Sequence, residues 1–413
     1  LAKLIKCVHL DVVKSSMGTL QGCASEHSYQ LAIRTEGMVP DIVKYLSSDD
    51  RELQMHCASC LFKCSEDKET RILIRRAGGL EPLVAIIKDR KLRDDKPLIA
   101  AASGAIWKCA ANDDNINKLD QLGTVSALTA LLTEENEDVL TNVTGALSEM
   151  LRFKHNVDNL RQERGIPHLV NLLKSIHNPL LENVPLALAQ CAKEPDAMAI
   201  IEEMDGVRLI WSILKNVDVK VKANAAWALR PCIENATDSG EMVRSFVGAL
   251  ELAVSLLDSK DTRVLAGICA AIAIIATDVE NLAVMTDHGV VGKLARLVGT
   301  TDEGLREYLA DAIANCCGWS NNRILFGKLG AITPLVAYMA AADQPRVHKT
   351  TALALCRLSE DPFNCITMHQ SGVVPFLLET VSSEDTALQD ASAGCLCNIR
   401  RLALAAEKFK LRL

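Results

Sequence analysis

Aromatic residues are scarce in this chain: 7 Phe, 4 Trp and 4 Tyr among 413 residues, although 49% of the sequence is hydrophobic. The apolar weight rests on Ala, Leu, Val and Ile, which fits helices packed on helices better than a β-sandwich. No apolar run reaches 18 residues, so the sequence offers no membrane-spanning helix. Positive charge is not in excess either: 45 Lys and Arg stand against 52 Asp and Glu, a net charge of −7. That opposes a general polyanion binder, because phosphate recognition needs a concentrated positive field. The phosphate loops G-x-x-x-x-G-K-[ST] and G-x-G-x-x-G are missing, as are G-x-S-x-G and H-E-x-x-H. The nine His form no defensible triad. The expectation is a non-enzymatic protein with no cofactor and no resident metal. No nucleic acid, membrane or small-molecule substrate is expected as its partner. Residue 1 is Leu and no signal peptide precedes it, so the chain is expected to be a piece of something longer.

Cysteine is plentiful, and its pattern excludes a disulfide framework. The count is 15, an odd number in a long chain, whereas disulfide frameworks belong to small secreted domains. Cys109, Cys191, Cys269 and Cys356 sit in apolar helical runs, where free Cys behaves as a small hydrophobe. Reduced thiols in the cytoplasm or its extensions are expected. His56, Cys57, Cys60 and Cys64 combine C-x-x-C with an adjacent His, but no second pair follows at zinc spacing. Positions 57, 60 and 64 form one helical stripe, which points to core packing.

What the chain does have is a repeat. A Gly, two to four residues and an apolar run recur at Gly37, Gly79, Gly123, Gly165, Gly206, Gly248, Gly289, Gly330 and Gly372. The successive spacings are 42, 44, 42, 41, 42, 41, 41 and 42. Between the glycines run Ala-rich helical phrases such as SGAIWKCA at 103–110 and LADAIANCC at 309–317. Each unit therefore reads as a short helix before the Gly, a second after it and a longer third. The Gly is expected at the bend between the first two, where a Cβ would be resisted. Pro40, Pro82, Pro167, Pro334 and Pro375 follow it, near first-turn positions that tolerate the missing N–H. The charged run KDRKLRDDK at 88–96 coincides with the 44-residue spacing and reads as a solvated loop.

Three helices per unit with a period near 42 resemble armadillo repeats. The fold implied is all-α: an armadillo-type right-handed superhelical solenoid of about ten three-helix repeats. It covers 1–413 as a single array whose first repeat is incomplete, with residues 1–10 as its second helix. Aligning the third helices places one equivalent, or ladder, position at Gly22, Lys63, Lys108, Glu149, Gln190, Pro231, Ile274, Asn315, Arg357 and Asn398. Armadillo proteins that hold extended peptides, such as importin α and β-catenin, carry Asn there. Here only Asn315 and Asn398 do, and Trp227 at the companion Trp position is followed by Pro231. Binding of nuclear-import signals is therefore not expected.

Two further patterns offer candidate partner contacts. Asn142, Asn183 and Asn224 recur at spacings of 41 and 41, two turns before the ladder position. Three amides in register could grip a partner, but Asn near a helix start also caps, and that local role is the commoner. Lys63 and Lys108 precede Glu149 and Gln190, with Arg357 later. An acidic partner near the second and third repeats would explain the two lysines, and so would ordinary solvated charge. The C-terminal run carries Arg400, Arg401, Lys408, Lys410 and Arg412. It fits the polar cap a last repeat needs, with a membrane-surface or calmodulin-target helix as the alternative.

Several stretches carry a closer resemblance: AAWALRPCIENATDSGEMVRSFVGALEL (225–252), ENLAVMTDHGVV (280–291), LSEDPFNCITMHQSG (358–372) and CNIRRLALAAEK (397–408). They are similar to the C-terminal armadillo region of the armadillo repeat-containing protein 4 family, the armadillo subunits of the outer dynein arm docking complex of motile cilia. The family also has an N-terminal region that this sequence lacks. The resemblance implies a docking adaptor in the cytoplasm and the ciliary axoneme. Its implied partners are coiled-coil docking-complex subunits, outer-arm dynein and the doublet microtubule. The alternative is a general cytoplasmic armadillo scaffold or transport adaptor that binds extended peptides or coiled coils.

Overall fold

A computed structural model describes residues 1–341 and 344–408. Among them are 28 α-helices, three short 3-10 turns and no strand. The chain forms two compact units, Leu1–Leu209 and Ile210–Leu413. Both are runs of three-helix repeats. In the first unit the third helices are Leu10–Cys23, Arg51–Cys64, Lys96–Cys109, Glu137–Met150 and Asn178–Cys191 (repeats one to five). In the second they are Val219–Glu234, Thr262–Ile275, Glu303–Cys316, Pro345–Leu358 and Thr386–Lys408 (repeats six to ten). Within each unit, successive third helices pack side by side.

Repeat four shows why the residues adopt this form. Its first helix, Asp113–Gln121, starts where the Asn112 side chain accepts from the Asn115 N–H. Gly123 then turns the chain at φ +62° into Thr124–Thr129. Asn136 caps the third helix by accepting from the Val139 N–H at 3.0 Å. Such caps contribute about 1 kcal/mol each by satisfying otherwise unpaired N–H groups. Asp50, Asp95, Asp261 and Asp302 do the same for other third helices.

The bend differs from expectation in three repeats. Gly79 is right-handed at φ −80°, and Gly165 and Gly206 open their second helices. The left-handed residue is the one before: Gly78, Arg164 and Asp205. The glycine is still required, for a steric reason. A Cβ on Gly79 would fall 2.9 Å from both Ile74 and Val43, and one on Gly206 would fall 2.8 Å from Ile201. Repeat one also departs: the expected second helix in residues 1–10 is reduced to the 3-10 turn Leu4–Lys6. The charged run 88–96 is more than a solvated loop. It contains the turn Arg90–Leu92, and its Arg93 and Lys96 both hold Glu134 of the next repeat. Lys96, more than Arg93, holds the Glu134 carboxyl below its usual range.

Candidate interaction surface

One register relation organises the third-helix face. A side chain one residue before the ladder position meets, in the next repeat, the residue four before it. Gln21 Nε2 donates to Ser59 Oγ at 3.0 Å. Phe62 lies over Gly104 and Trp107 over Gly145, where an added Cβ would collide with the rings. Cys356 Sγ lies 2.8 Å from where a Cβ on Gly394 would stand. Small residues at the second position therefore make room for larger ones at the first.

The ladder residues singled out in the sequence are divided between the two units. In the first, Lys63 Nζ donates to the Gln21 carbonyl and to Ser25 Oγ, both at 2.9 Å. Lys108 Nζ pairs with Glu66 at 2.8 Å and lies 4.3 Å from the centre of the Trp107 ring. Burial pushes the Glu149 carboxyl up, against the pull of Arg152, whose Nε lies 3.4 Å from its Oε2. Gln190 Oε1 accepts from Lys193 Nζ at 2.7 Å. In the second unit, Asn315 Nδ2 turns back to the Asp311 carbonyl of its own helix at 3.2 Å. Asn398 Nδ2 donates to Ser359 Oγ at 2.9 Å. Arg357 is exposed, with no carboxylate in ion-pair range among the described residues.

The row before the ladder has a role inside the solenoid. Asn142 Nδ2 donates to the Ala100 carbonyl at 2.8 Å and Asn183 Nδ2 to the Thr141 carbonyl at 3.0 Å. Both amides are buried, and each ties its third helix to that of the preceding repeat. Asn224, at the same register, is half-buried. A second Asn row escaped the sequence reading. Asn115, Asn156, Asn281, Asn322 and Asn364 lie buried on first helices. Four of them donate to the carbonyl that ends the preceding third helix: Cys109, Met150, Cys316 and Leu358. The spacings of 41 between 115 and 156, and between 281 and 322, were the available signal.

In the second unit, two contacts span two repeats. The Trp227 and Tyr308 rings, from repeats six and eight, meet edge to face with centroids 4.8 Å apart at 79°. Arg230 pairs with Asp311 at 3.1 Å and lies 5.9 Å from the Tyr308 ring centre. These two contacts reach across repeat seven, whose third helix is buried from Val264 to Ala273. Gly267 lets this helix pack closely on that of repeat six: a Cβ there would lie 2.9 Å from Ala226 and 3.1 Å from the Trp227 nitrogen. Neither Tyr308 nor Asp311 was singled out from the sequence, because an 81-residue separation is two repeats and not one.

The thiols face inward. Cys57, Cys60 and Cys64 are fully buried on one stripe, and eight more cysteines are buried as well. Burial pushes the Cys109, Cys316 and Cys395 thiols up to about 12. Cys397 is exposed. Arg400 and Arg401 are exposed on Thr386–Lys408, while Lys410 and Arg412 lie outside the described residues. No single described helix is long and apolar enough to cross a membrane.

Comparison with known proteins agrees with this geometry. The armadillo/beta-catenin-like repeat family matches residues 112–152, which span repeat four. The chain is 56% identical over 413 residues to the armadillo repeat-containing protein gudu of Drosophila melanogaster, covering 100% of this chain and 62% of that protein. It is 50% identical over 410 residues to outer dynein arm-docking complex subunit 2 of Bos taurus, covering 99% of this chain and 39% of that protein. A crystallised engineered protein superposes with a TM-score of 0.73 at 27% identity, covering 97% of this chain and 98% of its own. A structure from a study of the cadherin and beta-catenin interaction superposes at 0.72 with 18% identity, covering 97% of this chain and 82% of its own; it shares the fold. The chain is a homologue of gudu and of docking-complex subunit 2, and its fold is the all-α armadillo solenoid. It spans less than two thirds of the length of either relative.

Proposed function

We propose that this chain is a non-enzymatic docking subunit that helps anchor outer-arm dynein to the doublet microtubules of motile cilia. The observation that carries the reading is 50% identity with outer dynein arm-docking complex subunit 2 along 99% of the chain. A solenoid suits the task. Its repeats display side chains in register over a long surface, so many weak contacts add up without a closed pocket. The proposed partners are the coiled-coil subunits of the docking complex, outer-arm dynein and the doublet itself, and the proposed location is the ciliary axoneme. The candidate contacts are the ladder residues Lys63, Lys108, Glu149, Gln190, Asn315, Arg357 and Asn398. Asn142 and Asn183 tie third helices together beneath that surface, and Asn224, half-buried at the same register, is kept as a candidate contact.

Removing the protein from a ciliated cell and imaging axoneme cross-sections tests the reading. Loss or thinning of outer arms is the expected result. Outer arms at normal density with normal beating would transfer the reading to a general armadillo scaffold.

A further inference from the structure

The first helices of repeats seven to nine carry an apolar stripe that the solenoid does not cover. These helices are Ser239–Ser245, Val279–Asp287 and Ser320–Lys328, and hydrogen bonds tie each to the next. Asn281 Nδ2 donates to the Gly240 carbonyl at 3.3 Å, and Asn322 Nδ2 donates to Thr286 Oγ1 at 3.1 Å. Three positions after these two amides stand Val284 and Leu325, and seven after them His288 and Leu329. Val247 holds the second of these registers in repeat seven. All five side chains are exposed, Val247 completely. The first helix of repeat seven has 7 residues where the next two have 9, and extended backbone at Phe246 follows it. A groove of about 430 Å³ opens there, with Val247, Glu251, Val284 and His288 in its lining. The stripe has ends. In repeat ten its two registers hold half-buried Thr367 and Ser371, and the first helices of repeats three to five expose no large apolar side chain. Charge borders it: Glu251 and Asp287 stand exposed in repeats seven and eight, and Lys328 in repeat nine. Among the described residues none of these three has an ion-pair partner.

We infer that this first-helix edge docks an amphipathic helix of a partner protein, laid along the stack with its apolar side chains on Val247, Val284, Leu325 and Leu329. Its basic residues lie towards Glu251 and Asp287, and an acidic one towards Lys328. Apolar side chains exposed singly are ordinary, whereas a row in register offers continuous area to bury. The period selects a helix. Successive helices of the stack lie about 10 Å apart, and seven residues of an α-helix rise about 10.5 Å. A partner helix with an apolar residue at every seventh position presents one to each repeat, and about four turns span all three. In an extended strand about 10 Å is three residues, which puts successive contacts on opposite faces. A second copy of this chain fits less well, because a two-fold pairing centred on repeat eight would set Asp287 against Asp287. The inference rests on the docking reading for the partner being another protein. The two fail differently: the titration below can fail while outer arms are still lost on removal of the protein.

The probe is a fluorescein-labelled, alanine-based helical peptide about three heptads long. It carries Leu at every seventh position, Lys beside the first two Leu and Glu beside the third. It is titrated with the full chain by fluorescence anisotropy at physiological salt, and saturable binding is expected. Leu325→Asp with Leu329→Asp should weaken it at least tenfold, and the milder Val284→Ser with Leu325→Ser at least threefold. Tyr29→Asp with Leu31→Asp, which changes exposed apolar residues on the first helix of repeat two, should change it less than twofold. A peptide with the Lys and Glu positions exchanged should bind at least threefold more weakly. Thermal melts by circular dichroism confirm that each variant is folded. No saturable binding by the native chain, or equal losses from the 325/329 and 29/31 pairs, overturns the inference. So does a dimer in sedimentation that Leu325→Asp with Leu329→Asp dissolves, which would give the stripe to a second copy.

Discussion

The third-helix faces of the two units are built on one backbone pattern and differ in what lies across them. In repeats one to four, contacts join neighbours only: Gln21 to Ser59, Phe62 over Gly104, Trp107 over Gly145. Each partnership is one repeat long, and charged groups such as Lys63 and Lys108 find partners within that distance. In repeats six to eight, contacts also span two repeats: Trp227 and Arg230 reach Tyr308 and Asp311 across the buried third helix of repeat seven. Small residues alone do not set this reach, because repeat three carries Ala101, Gly104 and Ala105 at the registers of Gly267, Ala270 and Ala271, and there Phe62 covers Gly104 from the neighbouring repeat. The difference teaches that the long side chains flanking a repeat, and not its small residues, decide whether a contact stops at the neighbour or passes over it.

That contrast can be broken most severely at its glycines. Gly267→Val places methyl groups against Ala226 and the Trp227 backbone, neither of which can yield. A loss of about 3 kcal/mol is expected, the upper end for overpacking. Gly145→Val meets the half-buried Trp107 ring, which can swing outward, so about 1 kcal/mol is expected. Urea melts of the two variants measure the difference, and equal losses would remove the distinction between backbone-limited and side-chain-limited sites.

Alkaline pH should weaken both units together, because buried thiols occur in each. Cys109, Cys316 and Cys395 titrate near 12 when folded, while an unfolded thiol titrates near about 8.5. The folded chain keeps protons that the unfolded chain loses. Their stability contribution is thus complete below about pH 8.5 and declines as pH rises towards the folded values. The urea midpoint should fall steadily between pH 8 and 10.5; a midpoint that stayed flat would contradict the burial of these thiols.

The two-repeat contacts themselves call for double-mutant cycles. Trp227→Ala and Tyr308→Ala should couple by about 1 kcal/mol, the usual size for an edge-to-face pair. Arg230→Met and Asp311→Leu should couple by about 0.5 kcal/mol, since the pair is partly exposed. Strictly additive losses in both cycles would mean that the contacts do not couple the repeats. At the quiet end, Cys397→Ser should change stability by less than about 0.5 kcal/mol, because the side chain is exposed. The same substitution should remove the fastest-reacting thiol in a native maleimide assay.

Much of this was legible in one dimension. A 41–44-residue beat of glycine, apolar run and Ala-rich helix dictates three helices per repeat, because each face can be buried only against a neighbouring copy. Capping Asn and Asp, such as Asn112 and Asn136, are local signals and could be read locally. The inward placement of Cys57, Cys60 and Cys64 followed from their helical stripe. The choice of left-handed residue did not follow. Arg164 and Asp205 take that conformation because the adjacent Gly165 and Gly206 are needed for close packing, and packing is not written in the spacing. Nor could sequence tell a lysine with an ion pair, such as Lys108, from an arginine with none among the described residues, such as Arg357. Charge is a property of the residue, but neutralisation depends on what the neighbouring repeat brings to the same place. The sequence by itself determined the repeat, its helices and its caps, since these rest on contacts within about one period of the chain. The tertiary structure alone decided which ladder residues face solvent, which amides tie helices together and where two repeats reach over a third. Those outcomes depend on distances between residues 41 to 81 positions apart, which only the packed helices set.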